Sequence, residues 1–116
     1  MWQRAFGGLS GAMSVATGAY AAHGLRGKPE AFQKTFETGS RYQLLHSAML
    51  AATPAICGPS SRASTIAGAC FAAGIVLFSG SCYAVGLTED RSVGKMAPVG
   101  GFALIGGWIS LAVLRR

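Results

Sequence analysis

Three stretches of this chain carry no charged residue: Ala5 to Ala22, Ile66 to Leu87 and Ala97 to Leu114. Each approaches the roughly 20 helical residues needed to cross about 30 Å of hydrocarbon. A fourth segment, Tyr42 to Cys57, is shorter and contains His46 and Pro54. In lipid a backbone must satisfy its own hydrogen bonds, and none of these segments alternates as a barrel strand does, so helices are the remaining option. The reading is an all-α integral membrane four-helix bundle. It forms a single domain over residues 1–116, with spans at about 5–24, 40–57, 65–87 and 97–114 and both termini on one side.

Composition agrees with a lipid solvent. Hydrophobic residues make up 51% of the chain and charged residues only 12%, about half the charged share of a soluble domain. That balance excludes an intrinsically disordered chain and a two-domain enzyme. The net charge of +6 raises the question of nucleic acid, but the basic residues flank the apolar runs instead of clustering on one face. Arg4, Arg62, Arg115 and Arg116 fall at one end, and Arg26, Lys28, Lys34, Arg41, Arg91 and Lys95 at the other. Cations placed so anchor helix ends at headgroups and help set orientation, so no nucleic-acid partner is expected. The positive-inside rule leans toward the second group facing cytoplasm or matrix.

Before the second span, Pro29 suits a first helical turn, and Glu30, Lys34, Glu37 and Arg41 place opposite charges at helical spacing, with Phe32 and Phe36 on another face. This predicts a short amphipathic interfacial segment from Pro29 to Gly39, with Gly39 as a bend. The amino terminus has a second reading: Arg4, an apolar run and Ala19-Tyr20-Ala21 also match a secretory signal with its cleavage site. The expectation is a first helix that is retained.

Helices in a bilayer associate through close backbone contact, which small residues permit. Gly7 with Gly11, Ser14 with Gly18, and Gly18 with Ala22 mark the first helix. Gly68 with Ala72, Ala69 with Ala73, and Gly80 with Ala84 mark the third, and Gly100, Gly101, Gly106 and Gly107 the fourth. This load predicts a compact bundle without an open cavity.

Few residues offer chemistry. His23 closes the first helix and His46 lies one turn after Tyr42. An ionisable group at membrane depth points to a proton relay or ligand contact, whereas a neutral His46 bonded to Tyr20, Ser47 or a nearby carbonyl would only fix register, and that reading is favoured. No span contains a carboxylate, so a metal site is not expected. Cys57, Cys70 and Cys82 imply no disulfide framework, and no serine has a base and orienting acid at suggestive spacing. Neither catalysis nor a cofactor is expected.

Four stretches, taken in order, carry a family resemblance: GAYAAHGL at Gly18–Leu25, FETGSRYQLLHSAML at Phe36–Leu50, LFSGSCYAVGL at Leu77–Leu87 and APVGGFALIGGWISLA at Ala97–Ala112. The chain resembles the transmembrane protein 256 family and its bacterial relatives, grouped as domain of unknown function 423. The resemblance implies a four-span protein of the bacterial plasma membrane or the mitochondrial inner membrane, without established enzymatic activity. The matching positions are His23, Gly39, Arg41, Tyr42, Gln43, His46, Pro98, Gly100, Gly101 and Trp108, expected to serve packing and contact between subunits. The second span is shorter, and more broken by Pro54, than the resemblance implies.

The function expected is an accessory subunit packed against a larger membrane complex, such as a mitochondrial respiratory complex, with membrane lipids and other membrane subunits as partners. The alternative is a small transporter or proton path using His46, with Arg41, Tyr42 and Gln43 as polar neighbours. A third expectation, a lipid or quinone site, falls beside Trp108 and Phe102.

Overall fold

A computed structural model describes residues 2–114, among which all regular structure is helical. Helix α1 spans Trp2–His23 and α2 spans Glu30–Cys57. Helix α3, Arg62–Gly74, runs into a π-helical turn at Ile75–Ser79 and on into α4, Gly80–Thr88, so the three form one rod. A 3-10 turn at Arg91–Gly94 leads to α5, Ala97–Val113. The expectations for Arg115 and Arg116 fall outside the described residues.

Neighbouring helices are antiparallel. Gly7 faces Ser47 and Ala51 while Gly18 faces Ser40; Gly39 faces Cys82 and Ser79 while Gly86 faces Phe36; Gly100 faces Phe78 while Gly107 faces Phe71. This up-and-down order puts Trp2 and Leu114 at the end formed by the Gly58–Ser61 turn. The opposite end joins the two charged loops: Lys28 Nζ donates to the Leu87 carbonyl at 3.1 Å, and the Arg91 guanidinium lies 5.2 Å from the centre of the Phe32 ring. All four acids sit at this end.

The buried positions of α1, Gln3, Gly7, Ser10, Ser14 and Ala21, recur at alternate steps of four and three or their sum, the seam of a left-handed helix pair. A side chain at Gly7 would place its Cβ 2.7 Å from the Ser47 carbonyl oxygen, so this crossing depends on glycine. Small residues on one face of each helix close the α1–α2, α2–rod and rod–α5 contacts in turn, but α1 and α5 form no packed pair among the described residues. The helices therefore make an open row, and a cleft of about 430 Å³ remains between α1 and the rod, where a compact bundle without a cavity was expected. Bulky groups on α1 and α5 are left exposed: Leu9 and Met13 at the cleft and Val15 elsewhere on α1, and Phe102, Ile105, Ile109 and Val113 on α5.

The interior is unusually polar. Ser10, Ser14, Ser40, Gln43, His46, Ser47, Thr53, Ser64 and Ser79 are buried while large apolar side chains point outward. That inversion is stable where the surroundings are hydrocarbon, because a hydroxyl or amide facing lipid would lose its hydrogen bond at a cost of several kcal/mol. The rod Arg62–Thr88 and the stretch Arg91–Val113 are each long and apolar enough to cross a membrane; α1 and α2 are less apolar, since they contribute most of the inward-facing polar groups.

Two features of α2 differ from expectation. The segment before the second span is no separate element: α2 is unbroken from Glu30 to Cys57, and Glu30 and Lys34 pair on it at 3.2 Å. Gly39 marks a close approach instead of a bend, as a Cβ there would lie 2.7 Å from Cys82 Cβ. Phe36 packs with Ala21 and Leu25, against Tyr83, in a small core at the charged end. Nor does Pro54 break the span. Its ring has no N–H for the Leu50 carbonyl, but the fully buried Thr53 hydroxyl donates to that carbonyl at 2.8 Å, replacing the missing bond in kind.

Candidate functional site

Near the middle of α2, successive turns present polar side chains on two faces. On one, Gln43 Nε2 donates to Ser10 Oγ at 3.1 Å and Ser47 Oγ donates to the same oxygen at 2.7 Å. The Tyr83 hydroxyl donates to Gln43 Oε1 and lies 3.0 Å from Thr17 Oγ1. Ser40 Oγ donates to the Ser14 carbonyl at 2.9 Å, and Ser79 Oγ reaches across to the Gly39 carbonyl at 2.7 Å. This network ties α1, α2 and the rod together, and no buried side-chain N or O among the described residues lacks a partner.

His46 occupies the other face, between α2, α3 and α5. Its ring lies 5.9 Å from Phe71 and 5.9 Å from Trp108, edge-on, and Phe71 and Trp108 meet edge to face at 5.6 Å. Trp108 Nε1 is 3.0 Å from His46 Nε2, and His46 Nδ1 is 2.7 Å from the Tyr42 carbonyl oxygen. An indole nitrogen only donates and a carbonyl only accepts, so Nε2 must be bare and Nδ1 must carry the hydrogen. The partners thus fix a neutral imidazole in one tautomer with both nitrogens engaged. A nearby carbonyl was among the partners expected for His46; Tyr20 and Ser47 are not its partners, and Trp108 is an unforeseen one.

The structure divides the residues singled out by sequence. Tyr42 stacks on Phe78 at 4.8 Å, and Gly100 packs against the Phe78 backbone, so Tyr42, His46, Gly100 and Trp108 belong to one aromatic centre. Gln43 and Gly39 face α1 and α4 instead. Gly101 is near Phe78 without crowding it, Pro98 lies in the first turn of α5, Arg41 is exposed on α2, and His23 is exposed at the end of α1. Sequence reasoning missed Ser10, Thr17 and Tyr83, and it named Ser47 as a partner of His46 where the structure pairs it with Ser10. The signal was present for α1, where Ser10, Ser14 and Thr17 share a helical face with Gly7.

At the charged end, Asp90 accepts from the Ser92 hydroxyl at 2.7 Å and from its amide at 2.9 Å. These two bonds hold its carboxyl below the usual range. Among the described residues no group of three or more His, Cys, Asp or Glu is placed to hold a metal, and all three cysteines are free.

Comparison with known proteins follows the same lines. The family model described as "Protein of unknown function (DUF423)" matches residues 17–101. A UPF0382 membrane protein of Staphylococcus haemolyticus is 39% identical over 108 residues, covering 92% of this chain and 88% of its own. The UPF0382 membrane protein YwdK of Bacillus subtilis is 36% identical over 110 residues, covering 92% and 89%. A UPF0382 membrane protein of Haemophilus influenzae is 36% identical over 105 residues, covering 90% and 85%. No solved structure matches. These relatives are bacterial, and the mitochondrial location draws no support from them. With the inverted interior and the two long apolar helices, the matches identify the chain as a small membrane protein belonging to the DUF423 family.

Proposed function

We propose that this protein is a non-catalytic accessory subunit of the bacterial plasma membrane that packs laterally against a larger membrane assembly. The observation carrying this reading is the open row of helices: α1 and α5 are each packed on one side only, and exposed bulky side chains stand clear of those contacts, Val15 on α1 and Phe102, Ile105 and Ile109 on α5. A respiratory complex is one such assembly, and the reading extends to it only as an instance of the class. The non-catalytic part is supported by the setting of the interior polar groups: among the described residues each buried side-chain N and O has a partner, and no serine is paired with a base and an orienting acid as a nucleophile requires. A proton path through His46 fits the geometry less well: Nε2 could take a proton only after giving up Trp108.

The test is to tag the protein in its native host, solubilise the membranes in a mild detergent and resolve the complexes by size. Migration in a defined larger complex, lost on Phe102→Glu/Ile109→Glu, is the expected result; migration solely as an 11.9 kDa chain refutes the proposal. In liposomes, wild type and His46→Ala are expected to give the same negligible proton flux.

A further inference from the structure

The cleft between α1 and the rod has a consistent chemical order along its length. Phe6 and Ile75 line it toward the Gly58–Ser61 end, Met13 and Val76 follow, and Gly80 and Tyr83 line it toward the charged loops. At its floor are Ser10 and Gln43, and Gln43 is only 3% exposed. An amide nitrogen has two hydrogens, and Ser10 takes one of those on Gln43; Oε1 of Gln43 already accepts from Tyr83. What the floor still offers is a donor. One wall of the cleft is the π-helical turn Ile75–Ser79, an element that occurs often at functional sites. The volume of about 430 Å³ falls within the range of about 300–1,000 Å³ typical of small-molecule sites.

These features select an occupant. The walls suit hydrocarbon, the spare donor suits an uncharged carbonyl oxygen, and the donor lies partway along the cleft beside Ser10, with Gly80 and Tyr83 between it and the end where charged side chains collect. Arg41, exposed, precedes Gln43 by two residues and so branches from α2 about 3 Å nearer that end. We infer that the cleft holds one chain of an acyl-ester lipid, with its tail running from Met13 toward Phe6 and its ester carbonyl accepting from Gln43 Nε2. The site is intramolecular and requires no partner protein.

Gly80 provides the test, because a Cβ there would meet no atom within 4 Å. Gly80→Leu adds a side chain at the cleft wall from a Cβ that crowds nothing. The full chain, purified in detergent, is exchanged into dioleoyl phosphatidylglycerol or its ether-linked dioleyl analogue, and lipid retention is read by native mass spectrometry. The expected result is one ester lipid per chain, held about fivefold more tightly than the ether lipid, as one hydrogen bond of about 1 kcal/mol requires. Gly80→Leu is expected to lose retention with an unchanged thermal transition, and Val76→Trp serves the same purpose if Gly80→Leu does not fold. Gln43→Met is expected to retain both lipids equally. Equal retention of ester and ether by wild type overturns the carbonyl contact. Retention that survives both filling variants overturns the site, as does a doubled chain mass that Gly80→Leu returns to one, which would assign the cleft to a second copy.

Discussion

The indole of Trp108 donates to Nε2 of His46 across 3.0 Å, joining α5 to α2 although those helices otherwise barely touch. Removing the donor leaves a buried acceptor without a partner, which costs about 1–3 kcal/mol. Trp108→Phe should therefore destabilise the protein by about that amount in a detergent melting experiment. His46→Phe/Trp108→Phe should cost less than the sum of the single changes, because it leaves no orphaned nitrogen. Additive losses would show that the bond is energetically idle.

Adjacent glycines on α5 should respond oppositely. A Cβ at Gly100 would run into the Phe78 backbone, whereas one at Gly101 comes no closer than 3.9 Å to the Phe78 ring. Gly100→Ala should lower stability by about 1–3 kcal/mol. Gly101→Ala should be neutral or stabilising by up to about 1 kcal/mol, through helix propensity. The two thermal transitions, compared side by side, check the assignment of the contact face.

Thr53 and Pro54 should be coupled. With Pro54 present, Thr53→Val removes the hydroxyl that donates to the Leu50 carbonyl and should cost about 1–2 kcal/mol. After Pro54→Ala, a backbone N–H becomes available to that carbonyl, and Thr53→Val should cost much less. Equal costs in the two backgrounds would disprove the substitution of hydroxyl for amide.

The charged loop should show a simple acid dependence. Asp90 titrates below the usual aspartate range because Ser92 bonds its ionised form. Its folded pKa is lower than its unfolded one. Its stabilising contribution is therefore complete above the ordinary aspartate pKa of about 4 and is lost as pH falls through the depressed folded value. The Ser92 amide resonance should report that titration with a midpoint below 4, and Asp90→Asn should abolish it. A midpoint at or above the ordinary value would refute the bonding.

Much of this arrangement was visible in the residues themselves. The charge-free runs and clustered glycines identify four helical rods in order, and Gly7, Gly39 and Gly100 each sit at a close helix contact. What escaped was long-range. The pairing of Gln43 with Ser10 and of His46 with Trp108 joins residues separated by 33 and 62 positions, and spacing along one helix does not determine which residues meet on another. The cleft escaped for a related reason: small residues show that two helices can approach, not that a third stays apart. Pro54 was misleading because its effect depends on Thr53, a residue with no special claim until its hydroxyl is placed.

The π-helical turn at Ile75–Ser79 carries one extra residue per turn, and so acts as a phase adjuster in the middle of the rod. Were it to relax into ordinary helix with all its residues kept, Gly80–Thr88 would rotate by about 100° relative to Arg62–Gly74. Ser79 would swing away from the Gly39 carbonyl and Tyr83 from Gln43, while Phe71 kept its place against Gly107. One half of the molecule would hold its fit and the other would lose it, so the rod needs the bulge for as long as it carries that extra residue, and deleting one residue from the turn should leave the two halves in phase as continuous α-helix.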